Sequence, residues 1–169
     1  MTAVTALFID SNIALYAVGG PHRHKAACRD ILEAATAGTV TLHASVELIQ
    51  EVLHHRLRID DRETAVAAAR WLTDLCTVHP FTEDVARQML ELVATMNIRG
   101  RDAVHAATAL AAGFDQIVTV DPSLAVPGLT IYPSRDSLAT HLTRRRPRRR
   151  SPPPTGPPMT DRLHHRRRH

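Results

Sequence analysis

The chain has 169 residues, 44% hydrophobic but only 4% aromatic, so it is long enough for one domain whose core must be built from Ala, Val, Leu and Ile. Its formal charge of +4 is unevenly divided: residues 143–169 carry ten Arg against one Asp, a net +9, which leaves 11 Lys+Arg against 16 Asp+Glu, a net −5, for the 142 residues before them. Two cysteines without metal-ligand spacing, a short N-terminal apolar stretch with no basic residues before it, and no apolar run of bilayer length argue against a disulfide scaffold, a secretory leader and a membrane span, and predict a cytoplasmic protein.

Thr5-Ala6-Leu7-Phe8-Ile9 runs without a polar break into Asp10, followed by Ser11-Asn12. This predicts a buried strand of a parallel sheet, which delivers Asp10 to the edge where open α/β folds place their ligands. An Asp after a strand is as readily the N-cap of the next helix, here 12–18. A helix over 24–37 follows, with Ala27, Ile31, Leu32 and Ala35 on one stripe and Gly38 as its stop. Val40-Thr41-Leu42 reads as a short strand. Ser45 then caps a helix over 45–58 whose buried side is Val46, Leu48, Ile49, Val52 and Leu53. Glu47 and Glu51 share one face of it. A solvated acidic face is the ordinary explanation, but Glu51 borders the apolar stripe, where a carboxylate needs a cationic partner.

Asp60 and Glu63 have the spacing of a capping box and predict a helix to about Cys76, with Val66, Trp71, Leu72 and Leu75 as structural residues. Residues 77–81 fit a strand. Thr82 caps a helix that fades at Asn97, with Glu83 and Asp84 in its first turn. In Arg99-Gly100-Arg101-Asp102-Ala103-Val104-His105-Ala106-Ala107, a glycine turn opens an Ala-rich helix ending at Gly113, with Asp102 in its first turn. Asp102 is either a dipole partner or a functional group, and the fold places it near Asp10. Gln116-Ile117-Val118-Thr119-Val120 is the second central strand and ends at Asp121-Pro122, which by itself is only a turn signal. Leu129 to Tyr132 is a last strand and Ser134 begins a short last helix. The Arg/Pro-rich residues 143–169 cannot bury enough surface to order themselves and predict a disordered basic tail beyond a domain of residues 1–142. Such an arm either binds nucleic acid through phosphates or has no role.

The element order predicts an α/β fold, a mostly parallel central sheet flanked by helices in three α/β/α layers. On it, Asp10, Asp102 and Asp121 converge on one sheet edge and Glu51 leans in, with no Lys or Arg assigned to neutralise them. Crowded carboxylates repel by roughly 1 to 4 kcal/mol per close pair. A fold keeps them where a cation sits among them, and oxygen ligands suit Mg²⁺ or Mn²⁺ and phosphodiester hydrolysis. Rival α/β chemistries lack their residues: no P-loop motif exists, no glycines follow the first strand for a dinucleotide, and Lys25 is the sole lysine, so the late lysine of aspartyl-phosphate enzymes is missing. A dehalogenase-type enzyme would also need Asp where Asn12 stands.

Phe8-Ile9-Asp10-Ser11-Asn12, Ile49-Gln50-Glu51-Val52, Arg101 to Ala107 and Val118-Thr119-Val120-Asp121 resemble the four signature segments of PIN-domain ribonucleases, and among them the VapC-like toxins of bacterial toxin–antitoxin pairs. The resemblance spans residues 4 to 134. It implies that Asp10, Glu51, Asp102 and Asp121 form the catalytic, metal-binding quartet, with Glu47 as the rival for the glutamate position. It further implies that Ser11, Asn12 and Thr119 support the quartet by hydrogen bonds. The expectation is thus a Mg²⁺- or Mn²⁺-dependent endoribonuclease that leaves a 5′-phosphate on its RNA product. A small antitoxin protein would hold it inactive, and a homodimer is expected. An antitoxin-independent RNA-processing nuclease and a non-catalytic RNA-binding module that uses the basic tail remain the alternatives.

Overall fold

The protein is described here by a computed structural model, which covers residues 4–132. The helix expected from Ser134, the boundary at residue 142 and the basic tail lie outside the described residues. The elements run β1 (Thr5–Phe8), α1 (Ser11–Val18), α2 (Lys25–Thr36), β2 (Val40–Ser45), α3 (Val46–Arg56), α4 (Arg62–Leu75), β3 (Cys76–His79), α5 (Glu83–Thr95), α6 (Gly100–Ala111), β4 (Gln116–Val118) and β5 (Thr130–Tyr132). This is the predicted order through the last strand.

The pairings between the named strands are all parallel among the described residues. β1 pairs with β2 from Thr5–Val40 to Phe8–His43, and β2 pairs with β3 from Leu42–Cys76 to Ser45–His79. β4 and β5 form a second pair. The two groups join at one point, where Ile9 bridges Val118 and the Asp10 N–H donates to the Val118 carbonyl at 2.9 Å. The strand order across the molecule therefore reads 3-2-1-4-5. The chain winds outward from β1 on one side and returns on the other, so the gap between the ends of β1 and β4 is the switch point at which such sheets bind ligands.

Alternation along β1 separates two cores. Leu7 and Ile9 join Ile13, Ile31, Leu42, Leu48 and Leu72 on one face. Phe8, fully buried, joins Ala103, Ala106, Ala109, Ile117 and Leu124 on the other. Residues one apart on a strand point to opposite faces, so a run apolar at every position must be covered twice, and the three-layer α/β/α architecture follows.

Local chemistry set several boundaries differently from expectation. α4 is capped by Asp61, whose carboxylate accepts from Thr64 N at 2.8 Å and Thr64 Oγ1 at 2.9 Å. Asp60, the expected cap, instead pairs with Arg56 of α3 at 2.5 Å. Trp71 is 41% exposed, because the inward stripe of α4 is Ala65, Ala69 and Leu72. Cys28 and Cys76 are buried and unpaired, and burial pushes each thiol up to about 11, leaving them as small packing groups. No helix among the described residues is long and apolar enough to cross a membrane.

His43 on β2 and His79 on β3 stack with a ring-nitrogen contact of 2.9 Å, beside Phe8 and Phe114. One ring must donate and the other accept, so the pair is made for neutral imidazoles. Burial and, for His43, the charge of His79 hold His43 below its ordinary value of 6.5; burial alone does so for His79. The unfolded chain takes up these protons first as pH falls below 6.5, so their contribution is complete above that value and is lost toward the lower folded-state values. Thermal melts between pH 7 and 5 should show wild type losing more stability than His79→Phe, which keeps the ring and removes the proton.

Candidate active site

The site forms at the switch point because the backbone is freed there. β4 stops at Val118, two residues before the expected end, since the next polar groups turn to side chains instead of a neighbouring strand. Val120 N donates to Asn12 Oδ1 at 3.3 Å, and Asp121 N donates to Thr119 Oγ1 at 3.0 Å.

Asp10 is the centre of this network. Its backbone is extended and it is the N-cap of α1, with Oδ1 accepting from Ser11 N at 2.6 Å and Ser11 Oγ at 3.3 Å. Its Oδ2 accepts from Asn12 Nδ2 at 2.5 Å and Thr119 Oγ1 at 2.7 Å. Capping and site geometry are thus one arrangement. Only 4% exposed, Asp10 is oriented by four donors, three of them side chains. Thr119 Oγ1 also accepts from Asn12 Nδ2 at 2.8 Å. That hydroxyl donates once and accepts twice, which is its full capacity.

Asp102 lies in the first turn of α6. Burial, then the charges of Asp10 and Asp121, push its carboxyl above the ordinary range, against the pull of His105 and Arg99. Asp102 is therefore within electrostatic reach of both Asp10 and Asp121. Asp121 is more open; a bond from Ser123 N at 2.9 Å starts the turn after β4. The Ser123 bonds chiefly, and Arg99 as well, hold the Asp121 carboxyl below the usual range.

Glu51 is 8% exposed and enters from α3. Glu47, in the first turn of that helix, makes none of the contacts described for the pocket. Burial works against the Glu51 charge, but His105, Ser11 and Arg101 outweigh it and hold the carboxyl below the ordinary range. The structure corrects the expectation that no cation is assigned here: Arg101 Nε stands 3.7 Å from Glu51 Oε1. The arginine is 71% exposed, so solvent screens this contact and Arg101 rims the pocket without filling it.

His105 lies in the same segment as Asp102, and the sequence alone assigns it no role. It is 1% exposed, three residues after Asp102 and so on the same face of α6. That spacing was the available signal. Its Nε2 lies 3.6 Å from Asp10 Oδ1 and 3.7 Å from Glu51 Oε1, while Nδ1 lies 2.8 Å from Ser45 Oγ. Burial disfavours its charge, but Glu51, Asp10 and Asp102 raise its affinity for a proton. At these lengths the Nε2 contacts are electrostatic rather than formed hydrogen bonds. Accordingly, Glu51 Oε1 and His105 Nε2 are both buried without a hydrogen-bond partner.

The donor set is hard oxygen, negatively charged in excess and partly unpartnered, which is the chemistry a divalent ion of the Mg²⁺ or Mn²⁺ kind satisfies. Among the described residues no three His, Cys, Asp or Glu side chains already stand at coordinating spacing. Asp10 is fixed by its donors, so the side chains of Asp102, Asp121 and Glu51 would have to swing to complete a shell around it.

Comparison with known proteins places this geometry in context. The family model described as PIN domain matches residues 7–128. Ribonuclease VapC7 of Mycobacterium tuberculosis (strain ATCC 25618 / H37Rv) is 32% identical over 122 residues, 70% of this chain and 84% of that protein. Among solved structures, VapBC2 from Rickettsia felis bound to a DNA fragment from its promoter superposes with a TM-score of 0.60 at 18% identity, covering 76% of this chain and 98% of that one. A toxin–antitoxin complex from Klebsiella pneumoniae gives 0.56 at 18% identity, covering 73% and 95%. At these identities the structures speak for the fold.

The saturated hydroxyl of Thr119 gives a direct test. Thr119→Val keeps the shape but strips partners from Asp10, Asn12 and the Asp121 amide, which should cost about 1–3 kcal/mol of stability. Urea unfolding should register this loss, and Thr119→Ser should recover most of it.

Proposed function

The chain belongs to the PIN-domain family, on its VapC branch, and from that premise we propose that it is a divalent-metal-dependent endoribonuclease, the toxin of a toxin–antitoxin pair. The observation that carries the reading is the crowding of carboxylates at the switch point. Burial, Asp10 and Asp121 raise the Asp102 carboxyl, while Glu51 keeps an unpartnered oxygen in the same pocket. A fold that only needed caps and turns would gain nothing from that cost.

In this reading Asp10 and Asp102 are the primary ligands of Mg²⁺ or Mn²⁺, with Glu51 and Asp121 completing the site directly or through water. When bound, the ion supplies charge to the scissile phosphate and acidity to a water. The chain's own groups do the rest. Ser11, Asn12 and Thr119 hold Asp10 in one orientation, so that no reorientation accompanies the reaction. Arg99, which acts on Asp102 and Asp121, and the exposed Arg101 offer local positive charge to the phosphate backbone of RNA on a domain that is otherwise acidic. Water attacks phosphorus in line and gives up a proton, the bond to the 3′ oxygen breaks, that oxygen takes a proton to leave as a 3′-hydroxyl, and a 5′-phosphate remains on the other product.

The antitoxin belongs to this proposal too: a small partner placing a basic group in the acidic pocket would occupy the position of the cation. Relatives named ribonucleases and neighbours solved as toxin–antitoxin complexes support it. Leu90 and Val93, exposed one turn apart on α5, are available to a homodimer. RNA as substrate puts the work in the cytoplasm.

Incubating the purified full chain with total RNA should give cleavage that requires Mg²⁺ or Mn²⁺. Asp102→Asn should lower it by at least a hundredfold without loss of the fold; cleavage intact in that variant would defeat the assignment. Deleting residues 143–169 should leave metal-dependent cleavage in place while reducing salt-sensitive RNA retention. Loss of all activity on truncation, with no metal effect in the parent, would favour the non-catalytic RNA-binding module.

A further inference from the structure

The buried imidazole between α3 and α6 has a chemistry that the quartet does not account for. His105, on α6, is 1% exposed and faces groups from three other elements. On one side, Nδ1 meets Ser45 Oγ at 2.8 Å. On the other, Nε2 faces Asp10 Oδ1 at 3.6 Å and Glu51 Oε1 at 3.7 Å. Ser45 is the N-cap of α3, and its Oγ already accepts from Leu48 N at 3.2 Å.

The direction of the hydrogen bonds follows from what each atom can do. Ser45 is 1% exposed, and its hydroxyl proton has one acceptor in the described contacts, Nδ1 of His105. If Nδ1 carried a proton instead, the serine proton would be buried without a partner. Nε2 looks only at carboxylate oxygens, which accept and never donate when ionised. Both constraints ask for the same state, with a lone pair on Nδ1 and a proton on Nε2.

We propose that His105 is a positioning residue: its Nε2–H, fixed through Ser45, holds Asp10 and Glu51 from behind and sets the spacing between the two carboxylates that receive the cation. This rests on the metal-dependent reading above. It makes the histidine an electrostatic partner of the ligands, at 3.6 and 3.7 Å, and not itself a ligand. It also accounts for the meeting of two carboxylates from separate elements, at the end of β1 and in α3, around one ring nitrogen although no direct bond joins them. The relay couples the α3 cap to the pocket: Leu48 N–H to Ser45, Ser45 to His105, His105 to Asp10 and Glu51.

The test uses the full chain and Mn²⁺ alone, with affinity read by electron paramagnetic resonance of the free ion and folding read by thermal melting. His105→Leu should weaken Mn²⁺ binding by about 10–100-fold, and His105→Gln, whose amide nitrogen returns a donor, should recover part of that loss. Ser45→Ala should weaken it several-fold and Ser45→Thr should restore it, which keeps the test alive should His105→Leu not fold. Thr108→Val, a buried change on the same helix away from the pocket, should leave Mn²⁺ affinity unchanged. In ¹⁵N NMR of the Mg²⁺-loaded chain, Nε2 of His105 should carry the proton. Mn²⁺ affinity unchanged in a folded His105→Leu and in Ser45→Ala would overturn the positioning role alone, as would an unprotonated Nε2. No Mn²⁺ binding by wild type, or binding indifferent to Asp102→Asn, would overturn the metal-dependent reading and this inference with it.

Discussion

The hydroxyl of Thr119 is the contact on which the rest of the molecule depends. Where β1 and β4 meet, the pairing runs through the Ile9–Val118 bridge and the Asp10 N–H on the Val118 carbonyl, beyond which side chains take over. Thr119 supplies what the backbone lacks. It donates to Asp10 at the end of β1, accepts from Asn12 at the start of α1, and accepts from the Asp121 amide in the turn after β4. One oxygen thereby ties the Asp10–Asn12 corner to the turn after β4, more than a hundred residues further along the chain. The same bonds orient the carboxylate that the function needs, so stability and site geometry cannot be separated at this position.

That economy recurs around the pocket. Asp10 caps α1 and faces the pocket, Ser45 caps α3 and reaches His105, and Asp121 starts a turn and adds its charge to Asp102. In each case the side chain that caps or turns the chain also makes a contact or places a charge in the pocket. Like charges at one sheet edge are costly in a partly desolvated pocket, and the fold offsets this with donors fixed around Asp10, an imidazole wedged behind Asp10 and Glu51, and two arginines near the rim. What these groups leave unbalanced is the negative charge available to a divalent ion.

The charge distribution has a consequence for the polymer substrate. The body is acidic, so a polyanion is repelled by most of its surface and attracted at few places. Part of the described basic surface is spent on neighbouring carboxylates: Arg29 on Glu33, Arg56 on Asp60, Arg87 on Glu83 and Asp84. Arg99 and Arg101, beside the acidic pocket, act on Asp102, Asp121 and Glu51 across solvent-screened distances and keep donors to spare. Attraction is thereby focused at the pocket mouth, where position counts more than overall affinity.

The sequence by itself determined the order of elements, the parallel sheet, the helix caps at Ser45 and Thr82, and the arrival of Asp10, Asp102 and Asp121 at one edge. These follow from local periodicity and from the rule that strand ends and following helix starts share an edge, which needs no knowledge of the partners. It preferred Glu51 to Glu47 from its place beside an apolar stripe, and the structure buries Glu51. It missed the cap of α4, because only in three dimensions is Asp60 claimed by Arg56, leaving Asp61 to cap. It overextended β4, because the backbone beyond Val118 is diverted to side chains, that of Asn12 more than a hundred residues away and that of Thr119 close by. Above all it gave His105 no task. A histidine within an Ala-rich helix has no local preference that distinguishes packing from positioning, and the distinction arises only when Ser45, Asp10 and Glu51 arrive from three other elements to surround its ring. Tertiary structure alone decided which donors meet which acceptors.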